Sequence, residues 1–231
     1  MNVSKMTPVV DVYTMANDKN FAPYHNGKMM SLACCMVRIR NRVGKLWFAN
    51  NGKIVYWIMG RVGLSLYKSK RNYLIYFMKV TDVMNFNQYY HEHSYRPDAL
   101  YKYNHSCKCG IDNCDCRLNA SYYTPVREVK FHNAKHDIGK GHYVLTSNEY
   151  CYYDWINDNS NKLCLDEWGI NELEWKGNSR SNFRRKFNFN DTVSIIRKLE
   201  ELKNSYCMKY YHNNVNIRHE CIPEQRKSDK L

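Results

Sequence analysis

Residues 73–83, YLIYFMKVTDV, carry the strongest β signal in the chain. Aromatic and β-branched residues suit a pleated, half-buried surface, so this run predicts a strand, and residues 85–90 after it predict the start of a short helix. Working outward, residues 54–59 form a short apolar run between Gly52 and Gly60, the pattern of a strand buried on both faces. Val9, Val10, Val12 and Tyr13 predict an opening strand over residues 9–15, broken by Asn17, Asp18 and Asn20. Residues 143–147 and 149–153 predict a further strand or hairpin near a sheet edge. Several strands with few helices between them indicate an α+β fold with a curved or barrel-like mixed β-sheet.

The best helical pattern lies near the C-terminus, over residues 192–208. Ile195, Leu199, Leu202 and Tyr206 form one apolar stripe, and Asn190 or Asp191 can cap its start. After His212 the sequence turns polar, and residues 223–231 read as a disordered tail. Two parts follow: a main domain over 9–156, with a cysteine-rich insertion near 105–116, and a C-terminal extension over 157–231 holding one amphipathic helix and a polar tail. No internal repeat is visible.

A chain of 231 residues can bury one sizeable core with an appendage. Its formal charge of +13 favours a polyanionic partner, nucleic acid or nucleotide, because excess Lys and Arg concentrate phosphates and steer their approach. No apolar run approaches the length of a membrane-spanning helix, and no apolar stretch follows Lys5 to make a signal peptide. With no export signal, the ten cysteines read as reduced thiols of an intracellular protein, cytoplasmic or nuclear. Abundant Asn, Lys, Tyr and Ile resemble A/T-rich coding, as in many large viruses, phages and low-GC organisms.

Candidate chemistry falls in four places. In Leu32, Ala33, Cys34, Cys35, Met36, Val37, Arg38, Ile39, Arg40, a strand or tight turn would bury small groups on one side and present Arg38 and Arg40 to an anion on the other. Cys35 is a candidate nucleophile if positive charge activates it, and core packing is the alternative for the cysteine pair. Cys107, Cys109, Cys114 and Cys116, beside His105, could gather around a structural zinc, helped by His132 or His136, although single-residue spacing strains a tetrahedral chelate; a mobile insertion is the alternative.

Asp137, next to His136, is a candidate acid-base residue, against a surface pair in a loop. Residues 180–187 interleave Arg184, Arg185 and Lys186 with Phe183 and Phe187, a pattern for phosphate contact and base stacking, or for a solvated loop whose two Phe residues enter the core. Walker, dinucleotide, metalloprotease-helix and deaminase signatures are absent.

Several of these stretches, in order, resemble the nucleotide modification associated domain 2 family, whose members occur in bacteria and large DNA viruses. They are Phe21, Ala22, Pro23; the run from Leu32 to Arg40; Trp57, Ile58, Met59, Gly60; and Leu74 through Thr81. A weaker fifth stretch runs from His136 and Asp137 to Tyr152 and Tyr153. The family pattern has Asp where this chain has Tyr56. The likeness covers about residues 10–155, and nothing comparable is read in the C-terminal third. The order of elements is also similar to PUA-like folds, an analogy of architecture only.

The resemblance implies a protein that recognises a modified base, nucleotide or nucleic acid, with Arg38 and Arg40 on phosphate and Phe21, Trp57 or Tyr76 lining the pocket. One alternative is an enzyme modifying or hydrolysing a nucleotide or base, using Asp137 and Cys35. Another is a viral or phage factor that blocks a host nucleic-acid defence.

Overall fold

The computed structural model describes residues 8–15, 23–62, 73–105, 115–130, 132–153, 163–169 and 187–204. Two four-stranded sheets organise them. The first runs β1 (Val9–Met15), β4 (Tyr56–Val62), β5 (Leu74–Lys79), β10 (Glu149–Tyr152). It is mixed: β1 lies parallel to β4, whereas β4–β5 and β5–β10 are antiparallel. The second, wholly antiparallel, runs β2 (Tyr24–His25), β3 (Met30–Leu32), β9 (Tyr143–Ser147), β6 (Asp82–Asn85). A ribbon of β7 (Tyr101–Tyr103) and β8 (Tyr123–Pro125) stands apart from both. The helices used below are α1 (Val37–Ala49), α2 (Phe86–His93), α3 (Ala134–Asp137) and α4 (Phe189–Leu202).

The α+β class and the C-terminal helix agree with the sequence reading. The opening strand has the expected limits, and Asn85 caps α2 by accepting from the Gln88 N–H at 2.9 Å. The long strand predicted over 73–83 is instead divided at Val80 and Thr81, because β5 pairs in the first sheet and β6 in the second. β9 and β10 divide in the same way around Asn148, so they are not a hairpin. These two crossings join the sheets, but among the described residues neither sheet closes into a barrel.

One apolar core draws Met30 and Leu145 from the second sheet, Ile58 and Phe77 from the first, Ile39 and Val43 from α1, and Ile195 and Leu199 from α4. The apolar stripe read near the C-terminus therefore packs on the main core. Its cap is Asn188, whose side chain accepts from the Asp191 N–H at 2.9 Å.

Residues 32–40 depart most from expectation. β3 ends at Leu32, the chain turns through Ala33–Met36, and α1 begins at Val37, so Arg38 and Arg40 sit on a helix and do not alternate along a strand. α1 lies close on β9 because Gly44 has no side chain: a Cβ there would stand 2.0 Å from the Tyr143 ring.

Candidate active site

The turn after β3 places two thiols differently. Cys34 is fully buried and donates to the Asp98 carbonyl at 3.5 Å; burial, then Asp137 and Asp98, push its pKa well up and keep it a thiol. Ser31 and Tyr89 hydroxyls donate to the Asp98 carboxylate and Arg96 Nε donates to Tyr89, which braces β3 beneath this turn. Cys35 is only half-buried and sits at the entrance of α1. The next residue, Met36, is left-handed at φ 57°, ψ 40°, a conformation that costs a non-glycine residue on the order of 1–3 kcal/mol and tends to occur where geometry serves a site.

The facing groups come from the segment before β9. Asn133 caps the short α3 by accepting from the His136 N–H at 2.9 Å, which leaves Asp137 buried at its end. Asp137 Oδ2 accepts from the Tyr101 hydroxyl at 2.6 Å and lies 3.0 Å from His132 Nδ1, while Oδ1 lies 3.2 Å from Nδ1 of the exposed His136. Burial draws the His132 pKa down, but hydrogen bonds to Asp137 and Cys35 outweigh it and raise it to about 9, so its imidazolium form prevails at neutral pH. His132 thus stands between a thiol and a carboxylate, the arrangement of a nucleophile, its proton carrier and the group that orients the carrier.

Arg40 holds the two halves together. Its fully buried guanidinium donates to the carbonyls of Cys35 at 2.7 Å, Asp137 at 2.8 Å and Tyr143. It can thread between them because position 141 is glycine: a Cβ there would lie 2.3 Å from Arg40 Nη2 and 2.4 Å from the Asp137 oxygen. Arg40 is therefore not the phosphate contact expected at an open lip; its donors face backbone oxygens.

The other expected site residues separate clearly. Arg38 is exposed on α1. Trp57 and Tyr76 are fully buried on central strands, Tyr76 donating to the Tyr13 hydroxyl at 2.7 Å, so they pack the core and offer no stacking face. Phe21, Arg184, Arg185, Lys186, Cys107, Cys109 and Cys114 lie outside the described residues. Cys116 and Cys151 each take part in a disulfide, which removes Cys116 from a set of thiolate ligands and differs from the reduced state expected throughout. Cys35 and Asp137 are brought together, and the residue between them, His132, was read in sequence only as a helper of the cysteine loop.

Cys34, His132 and Asp137 also place three donor atoms within 4.8 Å of one another, close enough to hold one cation. In the structure as it stands, these atoms already hydrogen-bond to Asp98, Asp137 and Tyr101.

A family model described as nucleotide modification associated domain 2 matches residues 7–210. The match runs through α4 and past the stretch on which the sequence resemblance was read. No curated protein and no solved structure matches the chain significantly. No helix among the described residues is long and apolar enough to cross a membrane.

Proposed function

The chain belongs to the nucleotide modification associated domain 2 family, and from that premise we propose that it acts on a nucleotide or nucleobase by thiol chemistry at Cys35. The observation that carries this reading is the position of His132, 3.0 Å from the Asp137 carboxylate and close enough to Cys35 for that residue to help raise its pKa. The Cys35 sulfur, reacting as the thiolate partner of the His132 imidazolium, adds to an electron-poor carbon of the base. A sulfur–carbon bond forms, the electron pair of the attacked double bond moves to its far atom, and the His132 proton follows it. Asp137 holds the imidazolium through this step and Tyr101 holds Asp137. Reversal of the same steps frees the sulfur.

Intact-protein mass spectrometry after incubation with a panel of nucleosides, nucleotides and short oligonucleotides tests this. A covalent adduct at Cys35 is expected with the wild type and none with Cys35→Ser. Equal binding of an unaltered ligand by both would make the chain a recognition protein, the reading that the sequence favoured. A cation at Cys34, His132 and Asp137 is the second reading, favoured by the 4.8 Å grouping of their donor atoms. One equivalent of zinc in protein purified without chelator, lost in His132→Gln, would support it. Zinc retained in that variant and lost in Cys107→Ser would support the cysteine loop.

A further inference from the structure

Charge around the Cys35 site is one-sided. α1 carries Arg38, Arg40, Arg42 and Lys45 and no acidic residue. Arg40 and Arg42 turn inward, to backbone carbonyls and to buried Asp11, whereas Arg38 and Lys45 are exposed. Those two lie seven residues apart, two turns along one face and about 10 Å of helix.

The segment that supplies His132 and Asp137 repeats the pattern. Arg127, Lys130, Lys135 and Lys140 are exposed, and Glu128 is its one exposed acid among the described residues. The two basic stretches are neighbours. Arg40 ties α1 to the Asp137 backbone, and after burial it is Lys45 and then Arg40 that lower the pKa of His142. Arg38 follows Cys35 closely in sequence and Lys135 and Lys140 flank Asp137, so both stretches adjoin the candidate active site.

We propose that Arg38, Lys45, Lys135 and Lys140 form a phosphate-binding track and that the substrate is a single strand of nucleic acid, one of whose bases reaches Cys35. This rests on the thiol-site reading for the role of Cys35. Cations strung over two helical turns match successive phosphates of a strand better than the clustered phosphates of one nucleotide. A single strand suits a half-buried sulfur, because a base within a duplex must first be unstacked to reach such a site. Exposed cations spread along two surface stretches also suit backbone contacts that position a strand without reading its sequence.

The test compares the wild type with the variant Arg38→Gln/Lys45→Gln/Lys135→Gln/Lys140→Gln, confirmed folded by its thermal transition. Affinity for a fluorescein-labelled single-stranded oligodeoxynucleotide is measured across a sodium chloride series. The wild type is expected to bind it more tightly than the matching mononucleotide, and the slope of log affinity against log salt should shrink by about 0.7 for each cation removed from phosphate. An unchanged slope, or no preference for the strand over the mononucleotide, overturns the track. Adduct formation at Cys35 with a mononucleotide, alongside an unchanged slope, would remove the track and leave the thiol reading standing. A reduced slope without any Cys35 adduct would support the track and remove the thiol reading.

Discussion

The guanidinium of Arg40 donates to the backbone carbonyl of Asp137 at 2.8 Å, and the same group donates to the carbonyl of Cys35 at 2.7 Å. One buried side chain therefore sets the spacing between the turn that carries the thiol and the segment that carries the carboxylate. An arginine buried against carbonyls, with no carboxylate oxygen among these three acceptors, is expensive to keep charged, and burial lowers its pKa accordingly. What offsets this is the simultaneous satisfaction of three backbone acceptors, one buried and two partly buried.

Removing that fork should be severe. Arg40→Ala leaves the Cys35, Asp137 and Tyr143 carbonyls without this donor, at a cost on the order of 3 kcal/mol or more. Arg40→Lys should recover only part of it, since an ammonium cannot reproduce the planar fork. Urea denaturation reads the stability. Alkylation of Cys35 by iodoacetamide reads the site, and its rate should change in both variants even where they remain folded.

Gly44→Ala is expected to destabilise by about 1–3 kcal/mol through overpacking. Its Cβ would meet the Tyr143 ring at 2.0 Å, and that ring belongs to β9, which is paired on both sides and cannot simply withdraw. A lower thermal midpoint is the expected result. An unchanged midpoint would show that α1 and β9 are less closely seated than described.

The residues most legible in sequence were those whose state depends on near neighbours. Val9–Met15 has its limits written in local composition, and the apolar run of β5 marks it as a strand. The division at Val80 and Thr81 was not legible, because it depends on which distant strands pair with each half. Cys35 and Asp137 were visible as reactive residue types, yet His132 acquires its role only when the turn after β3 meets the segment before α3. Arg40 shows the same limit. Its charge suggested a phosphate contact, and only the tertiary fold supplies the three carbonyls that hold it.

Stability should carry the signature of His132. Its pKa is raised in the folded state from 6.5 to about 9, so the folded protein holds this proton more tightly than the unfolded chain does. The resulting stabilisation is fully present below about pH 6.5 and is lost as pH rises toward 9. The stability difference between the wild type and His132→Gln should therefore narrow across that window in urea titrations. A difference that widens with pH would show that His132 is neutral in the folded protein.

Two tyrosines of β7 separate a role at the site from a role in packing. The Tyr101 hydroxyl, its pKa raised by burial and then by Asp137, remains a donor and holds Asp137 Oδ2 at 2.6 Å. Tyr101→Phe takes one of the two groups at Oδ2 away from a buried carboxylate and should cost about 1–3 kcal/mol. It should also shift the pH profile of Cys35 alkylation, because His132 shares that oxygen. Tyr103, on the same strand, has a buried hydroxyl with no partner among the described residues. Tyr103→Phe removes an unsatisfied polar atom and should leave stability unchanged or improved, with no effect on the alkylation profile. No loss of stability in Tyr101→Phe and no shift in its alkylation profile would mean that Tyr101 serves β7 by its ring alone, and that its bond to Asp137 contributes nothing to the site.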